Sequence, residues 1–154
     1  MYTLVIVFLM FIFPIASIFV ELFLLKSTSA VMPLVGKWFV FWAVGVRLFS
    51  AGLRQSTQPR FTAETILGVK GIEQFILVQE LGFANLSMGV LGMSTLLDGI
   101  WVFPAALVGC IFIGLAGIRH LFSKGRNRLE NNAMASNLVI SCILFTYLLW
   151  AANH

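Results

Sequence analysis

Charged residues are scarce in this sequence. Asp, Glu, Lys and Arg together make up 10% of its 154 residues, whereas hydrophobic residues make up 60%. Soluble domains carry about 25% charged residues, which cover their surface in water. The mean hydropathy of +0.98 agrees with this shortage. The composition therefore excludes an ordinary soluble protein and predicts an integral membrane protein whose length suits a single domain.

Residues that bind metals or carry redox chemistry are also few. The two cysteines, Cys110 and Cys142, stand alone in apolar runs without a Cys-x-x-Cys pair, so we predict buried, inert thiols and no metal site. The two histidines, His120 and His154, are expected on opposite sides of the membrane, which argues against a haem held between them. Because no catalytic motif is visible, the sequence favours a protein that is not an enzyme.

The formal net charge of +4 does not indicate a nucleic-acid-binding protein. The basic residues lie between apolar runs and form no continuous basic face, which a nucleic-acid interface requires. Membrane topology explains these residues better, since cytoplasmic loops of membrane proteins are enriched in Lys and Arg.

Five apolar runs are long enough to cross a bilayer, for which about 20 residues suffice. They predict an all-α, polytopic transmembrane helical bundle in a single domain over residues 1–154. After Pro59 closes the second run, a short interfacial helix is predicted over residues 63–70, with Thr62 as its N-cap. The predicted spans are residues 4–25, 38–55, 72–97, 101–122 and 133–152.

The second run, residues 38–55, is interrupted by Arg47 and permits two interpretations. A basic face with aromatic anchors is typical of an amphipathic helix that lies on the membrane surface. Gly45 and Gly52, seven residues apart, instead mark a face on which another helix can pack. We favour a membrane span and keep the surface helix, which would leave four spans, as the alternative.

The third run is predicted to lie at the centre of the bundle. In a helix, residues seven apart share one face, and here they form a polar stripe at Glu73, Glu80, Ser87 and Ser94. The other side of the same helix carries mainly small residues, at Gly82, Asn85, Gly89 and Gly92. A polar stripe on one side and a small-residue face on the other predict neighbouring helices on both sides.

Most basic residues at or beyond the ends of the five spans fall on one side of the membrane. This side has two basic loops, which contain Arg54, Arg60 and Lys70 in one and Lys124, Arg126 and Arg128 in the other. The opposite side has only Lys26 and Lys37, beside Asp98. The positive-inside rule then predicts a cytoplasmic N-terminus and a periplasmic or extracellular C-terminus.

Polar side chains from several spans are predicted to meet in the cytoplasmic half of the bundle. Counted from the inner ends of their runs, Arg47 and Glu80 lie about 10 to 12 Å deep and form a predicted ion pair. The candidate ligand-binding cluster comprises Arg47, Gln55, Arg60, Glu80, Asn85, His120 and Asn137. Such a cluster either binds a polar head group or only fixes the register of the helices.

The chain contains the run WFVFWAVGVRLFSAGLRQ, followed by QPRFTAE, ELGFANLSMGVLG and LAGIRH. From Trp38 onwards it resembles a family of uncharacterised small bacterial membrane proteins, with QPRFTAE and ELGFANL as the most specific segments. More distantly, the last four spans are similar to DoxX-like four-helix bundles, which makes the first span an N-terminal addition. The resemblance implies a multi-pass protein of the bacterial inner membrane. Some DoxX-like proteins are associated with quinone-linked sulfur oxidation or with membrane oxidoreductase assemblies.

Three hypotheses about function follow. The first is a non-enzymatic membrane-complex subunit, or a bundle that binds a lipid or another small ligand. The second is an accessory of quinone-linked redox chemistry, in which Glu80 and His120 handle protons. The third is a small transporter. No cofactor is predicted, although quinone and lipid are candidate ligands, and the expected partners are the lipid bilayer and either further copies of the chain or a larger membrane complex.

Overall fold

The chain is folded into helices joined by short links. The computed structural model describes residues 2–66, 68, 70–122 and 128–154, with side chains described except at 2–3, 65–66 and 128–130, and none of these residues lies in a β-strand. Five helices in this part of the chain are long and apolar enough to cross a membrane. Since a membrane span must pair its own backbone polar groups, helices are the form such runs take. The predicted all-α helical bundle is confirmed.

The first two helices lie on either side of a link at residues 25–30. Helix α1 covers residues 2–24, and its successive segments are Tyr2–Val7, π-helical Phe8–Ile12, Phe13–Phe19 and π-helical Val20–Leu24. Helix α2 covers Val31–Thr57, with a π-helical segment at Val40–Val46. The π-helical segment of α2 ends directly before Arg47 and contacts α1 and the later helices at Ile72–Leu96 and Gly99–Leu121.

Helix α2 begins at Val31, earlier than the predicted start at residue 38. Pro33 lies in its first turn, where the missing N–H leaves no helical hydrogen bond unmade. Lys37 reaches Glu21 of α1, so its charge does not end the helix. The span is 27 residues long, and 44% of its most apolar window is buried, the largest share among the five. This burial supports a membrane span over a surface helix.

One short helix and three long ones complete the bundle. Helix α3 covers residues 59–66, as Pro59–Phe61 followed by the π-helical segment Thr62–Ile66. The long helices are α4 at Ile72–Leu96, α5 at Gly99–Leu121 and α6 at Arg128–Ala151. Asp98 forms the turn between α4 and α5, where its Oδ1 accepts a hydrogen bond from the Ile100 N–H at 3.0 Å.

Helix α3 differs from the interfacial helix predicted at residues 63–70. It starts at Pro59, whose fixed φ suits the first turn of a helix. Thr62 therefore lies inside the helical stretch rather than at its N-cap, and its side chain is buried. Residues 67 and 69 of the predicted helix lie outside the described residues.

Two closely packed helix pairs, α2 with α4 and α5 with α6, make up most of the bundle. Glycines allow α2 and α4 to meet backbone to backbone, because a Cβ at Gly92 would lie only 2.5 Å from the Gly45 nitrogen. In the second pair, the Ser141 hydroxyl donates to the carbonyl oxygen of Cys110 at 3.0 Å. The small-residue faces predicted on the second and third runs thus pack against each other.

The polar stripe of α4 is exposed, contrary to the prediction of a neighbouring helix on that side. Glu73, Glu80 and Ser87 are exposed, and Ser94 is half-buried. The hydroxyl of Ser87 donates to the Phe83 carbonyl oxygen at 2.9 Å within the same helix, and that of Ser94 does the same to Val90 at 3.0 Å. Such bonds satisfy a hydroxyl without a second helix. The seven-residue repeat of polar side chains therefore does not require a neighbouring helix on that face.

Helix α1 lies at the edge of the bundle. Only 17% of its most apolar window is buried, the smallest share among the five membrane-length helices. Met10 is nevertheless fully buried, in a core that α1 shares with Val44 of α2, Ile113 of α5 and Leu144 of α6. The helix is attached along one face and leaves the rest of its surface for lipid.

Candidate functional site

Arg47 connects the two helix pairs. Its Nη2 donates to the Oδ1 of Asn137 in α6 at 2.9 Å, and Asn137 is buried. Asn137 also packs against α5 at Gly117, where an added Cβ would lie 3.3 Å from the Cβ of Asn137. A guanidinium within a membrane span needs protein or water partners. The structure gives Arg47 a protein partner, but from α6 rather than from α4.

The relative level of α2 and α4 follows from their contacts. These helices are antiparallel, with Gly45 against Gly92. Further along, the side-chain amide of Gln79 donates to the Ser56 carbonyl oxygen at 3.1 Å. The end of α2 at Thr57 therefore lies level with residue 80 of α4, and the first turns of α4 extend beyond it. We call this part of the molecule the Thr57 end of the bundle.

The predicted ion pair between Arg47 and Glu80 is wrong. Arg47 lies ten residues before Thr57, which corresponds to about 15 Å along the helix axis, whereas Glu80 lies level with Thr57. Glu80 is exposed and forms no ion pair with any described residue. The prediction assumed that the two helices end at the same depth. In the structure α4 is shifted along α2, so this assumption does not hold.

A second polar contact joins α2 to α4 at the Thr57 end. The Asn85 amide Nδ2 donates to the Oε1 of Gln55 at 2.7 Å, and Asn85 is only 4% exposed. Gly82, one turn away from Asn85, has no Cβ to separate the helices, and a Cβ there would lie 2.6 Å from the Ser56 hydroxyl oxygen. Small residues on α4 thus bring the polar side chains of the two helices together.

Three buried side-chain oxygens in the helices that meet at the Thr57 end form no hydrogen bond with any described residue. They are the Ser56 Oγ of α2, the Thr62 Oγ1 of α3 and the Asn85 Oδ1 of α4. Helix α3 packs against both α2 and α4, and Thr62 is only 4% exposed. We call Gln55 and these three residues the oxygen crevice. Buried polar groups normally have partners, so the crevice is a candidate site for a ligand that supplies donors.

Two exposed arginines lie at the Thr57 end of the bundle. The guanidinium carbon of Arg54 lies 4.6 Å from the centre of the Phe61 ring, which attaches α3 to the end of α2. Arg60 Nε donates to the Oε1 of Glu64 at 3.1 Å in an exposed pair one helical turn apart. The charge of Arg60 is therefore partly offset by Glu64, and its place at the mouth of a binding site stays a prediction.

The seven predicted site residues do not surround one common space. Gln55 and Asn85 form one contact and Arg47 and Asn137 another, about 12 Å apart along α2. His120 is half-buried in the last turn of α5. The structure therefore contains two separate polar contacts that share helix α2, and their role in binding stays a prediction.

Sequence reasoning missed a polar cluster at the opposite end of the bundle. Both carboxylate oxygens of Glu21 accept hydrogen bonds from Lys37 Nζ, at 3.0 and 2.9 Å, and Oε2 also accepts one from the Trp38 indole at 2.7 Å. We call these three residues the Glu21 clamp. The opposite charges of Glu21 and Lys37, at the facing ends of consecutive runs, could have indicated this contact. Lys37 was instead predicted to lie in a loop.

A lateral groove of about 270 Å³ lies beside the Glu21 clamp, between α1 and α2. Its walls are mostly apolar and aromatic, with Phe13 on α1 and Trp42 on α2. The Trp42 indole donates to the Ser17 hydroxyl at 3.0 Å. The groove opens towards the lipid-facing surface, and the polar groups nearest to it are already paired with one another.

Neither cysteines nor metal ligands form a centre in the described part of the chain. No group of three or more His, Cys, Asp or Glu side chains there could hold a metal ion. Cys110 is half-buried and Cys142 is exposed, so the prediction that both thiols are buried is wrong for Cys142. An exposed cysteine on a membrane-length helix faces lipid, which is compatible with its apolar character.

Five membrane-length helices with polar contacts between them define a multi-pass helical membrane protein. Over residues 3–154 the chain matches the model of the "Family of unknown function (DUF6790)", and it belongs to that family. No curated protein and no solved structure matches it. The expected membership of an uncharacterised family is thereby confirmed.

Proposed function

We propose that this protein is a non-enzymatic membrane bundle that binds the polar head of a lipid or another small amphiphile in the oxygen crevice. The observation that carries the proposal is the presence of three buried oxygens in α2, α3 and α4 that have no partner among the described residues. Each unsatisfied buried polar group costs roughly 1–3 kcal/mol. A donor-bearing ligand offsets this cost, whereas folding alone does not require the groups.

The position of the crevice suits an amphiphile. It lies where α2 ends, so a head group can reach it from the membrane boundary while its tail stays among lipids. One turn from Gln79, the apolar side chains Ile76 and Leu77 of α4 are exposed, at 52% and 64%. An acyl or prenyl chain can cover these side chains, which would otherwise remain at the membrane boundary.

Removing two unpaired hydroxyls tests the proposal without changing side-chain shape much. We expect the double variant Ser56→Ala, Thr62→Val to lose a small molecule that the wild-type protein retains through mild detergent extraction. Native mass spectrometry gives the retained mass. A ligand at 100 times its dissociation constant stabilises a protein by about 2.7 kcal/mol, so we expect delipidation to lower the wild-type Tm and to leave that of the variant nearly unchanged.

Thr57→Val is the matched control for this experiment. The Thr57 hydroxyl is exposed and donates to the Leu53 carbonyl oxygen of its own helix at 2.7 Å, so its loss should not affect retention. Identical retained masses in wild type and the double variant would contradict the proposal and leave water as the occupant. A retained quinone lost in the double variant would instead favour the accessory of quinone-linked redox chemistry.

A role as a subunit of a larger membrane complex, or as a homo-oligomer, is the second candidate function. The observation that favours it is the exposed polar stripe of α4, because Glu73 and Glu80 lie on a helix face that no helix of the described chain covers. The same native mass spectrum records the mass of any protein that stays bound. The DoxX-like relationship is also part of the proposal, and the peripheral position of α1 supports it as an addition to a four-helix core.

We further infer that the Thr57 end faces the cytoplasm of a bacterial inner membrane. Arg54 and Arg60 are exposed at that end, whereas Lys37 at the other end is neutralised by Glu21. We expect reporter fusions at Ser29 and after His154 to read periplasmic or extracellular and a fusion at Gly68 to read cytoplasmic. A cytoplasmic reading at Ser29 would contradict the inferred orientation.

A further inference from the structure

We propose that the protein binds a second copy of itself, so that the exposed face of α4 on one copy packs against α5 of the other and Glu80 pairs with Arg119. This inference rests on the second candidate function proposed above and names the partner. It follows from the charges that α4 and α5 leave unpaired, from their common depth in the membrane and from the repeat of side chains along α4.

Glu80 and Arg119 are exposed charges on membrane-length helices. Glu80 belongs to α4 and Arg119 to the last turn of α5, and neither forms an ion pair with any described residue. A charge within a membrane span normally has a partner, as Lys37 has in Glu21. Since the described chain gives Glu80 and Arg119 no such partner, each is available to a charge of the opposite sign on another molecule.

Both charges point away from the close helix pairs of the bundle. On α4, Gly82 faces α2, because a Cβ there would lie 2.6 Å from a hydroxyl oxygen of that helix. On α5, Gly117 faces α6, because a Cβ there would lie 3.0 Å from a leucine side chain of that helix. Two residues correspond to about 200° around a helix, so Glu80 and Arg119 lie on the opposite sides of α4 and α5. These two helices contact each other, which makes their outward sides adjacent.

The two charges lie at nearly the same depth in the membrane. Helices α4 and α5 run in opposite directions from the turn at Asp98. Counted from this turn, Glu80 lies about 27 Å along α4 and Arg119 about 32 Å along α5. Two copies with the same topology are related by rotation about an axis along the membrane normal, so every residue keeps its depth. Arg119 of one copy therefore meets α4 of the other within about one helical turn of Glu80.

The exposed face of α4 has the repeat of a face that packs against another helix. Glu80, Ser87 and Ser94 are seven residues apart, a spacing that keeps one side of a helix against its neighbour. Ala84, one turn from Glu80, is exposed and small enough to let a second helix approach closely. Packing α4 against α4 would place two copies of Glu80 together, and like charges oppose association. Packing α4 against α5 places Glu80 beside Arg119 instead.

The side of α5 that carries Arg119 is otherwise apolar. Leu115, one turn from Arg119, is 61% exposed, and Val108, two turns further, is 36% exposed. Lipid covers such side chains as well as another helix does, so the charge pair decides where the second copy binds. A twofold dimer forms the pair twice, because each copy contributes both Glu80 and Arg119.

Charge reversal tests this contact. The full chain, labelled at its C-terminus with donor or acceptor dyes, is reconstituted in phosphatidylcholine vesicles over a range of protein-to-lipid ratios, and energy transfer measures association. Glu80→Arg places two guanidinium groups together and Arg119→Glu places two carboxylates together. We expect either variant alone to lower the association constant at least about tenfold, which corresponds to about 1.4 kcal/mol. An equal mixture of the two variants should regain association, because the mixed dimer pairs opposite charges again.

Glu64→Arg is the matched control, because Glu64 lies at the same end of the bundle but pairs with Arg60 of its own chain. This variant should associate like the wild type. Recovery in the mixture also shows that both reversed chains fold. If a reversed chain does not fold, Glu80→Gln and Arg119→Gln take its place, and each should weaken association.

The outcomes separate this inference from the function on which it rests. Association that no charge variant weakens, or that folded variants do not regain when mixed, would overturn the Glu80–Arg119 contact and leave a homo-oligomer. A wild-type chain that stays monomeric at every ratio would overturn the second copy as partner. A different protein in the native mass spectrum would then keep the role as a complex subunit, whereas no bound protein would overturn that role too.

Discussion

Replacing Gly89 by alanine is expected to destabilise the bundle by about 1–3 kcal/mol, the range for overpacking a filled interface. A Cβ at Gly89 would lie 2.5 Å from the backbone nitrogen of Phe49 and 2.6 Å from its Cα. Backbone atoms cannot rotate away as the end of a side chain can, so α2 and α4 would have to separate along their shared face. Reversible unfolding in detergent, followed by circular dichroism, measures the loss.

Gly99→Ala is the control for this prediction. Gly99 is the first residue of α5, directly after Asp98, and nothing would lie within 4 Å of a Cβ placed there. The change should alter the free energy of unfolding by less than about 1 kcal/mol, mainly through the unfolded state. Equal losses for the two variants would mean that α2 and α4 are not held at the distance that the structure shows.

This interface also shows what sequence periodicity predicts well. Gly45 and Gly52 were recognised as a packing face from their spacing alone, and so was the face of α4 that contains Gly89. A face of small residues has a direct physical consequence, because only such residues let two backbones approach closely. Neither face was assigned a partner from the sequence, and the structure shows that the two faces pack against each other.

The depth of each helix relative to its neighbours could not be predicted from the sequence. Hydropathy gives the length of an apolar run but not its position along its neighbour, and α4 is shifted along α2 so that Glu80 lies level with Thr57. Arg47 therefore donates a hydrogen bond to Asn137 of α6, which lies ninety residues later in the chain. The buried oxygens of the crevice could not be predicted either, because their burial depends on where α3 begins.

The loop assignment before residue 38 failed for a related reason. Lys37 was taken as the end of a polar link because a charge inside an apolar helix is unfavourable. Glu21 removes that objection by neutralising the charge within hydrogen-bonding distance. The sequence shows both residues but not their contact. The contact forms because the chain reverses direction at residues 25–30, which places the end of α1 against the first turns of α2.

The Glu21 clamp leads to the second large expected effect. Glu21→Gln keeps the shape of the side chain and removes its charge, so Lys37 loses an ionic partner and Trp38 loses a charged acceptor. Hydrogen bonds to charged groups contribute about 1.5–3 kcal/mol each, and the Glu21 side chain is only 17% exposed. We expect a loss of about 1–3 kcal/mol, concentrated in the attachment of α1. Faster amide hydrogen exchange in α1 than in α4 would locate the loss there.

Glu64→Gln is the matched control, because Glu64 also pairs with a basic residue but does so at the surface, where the Arg60 side chain is 76% exposed. Exposed pairs of this kind contribute about 0.3–0.5 kcal/mol, so its loss should be several times smaller. A double-mutant cycle with Lys37→Gln then isolates the clamp itself, since two residues in contact lose less together than the sum of their separate losses. Additive losses, or equal effects of the Glu21 and Glu64 variants, would show that α1 is held by its apolar face alone and that the clamp contributes nothing measurable.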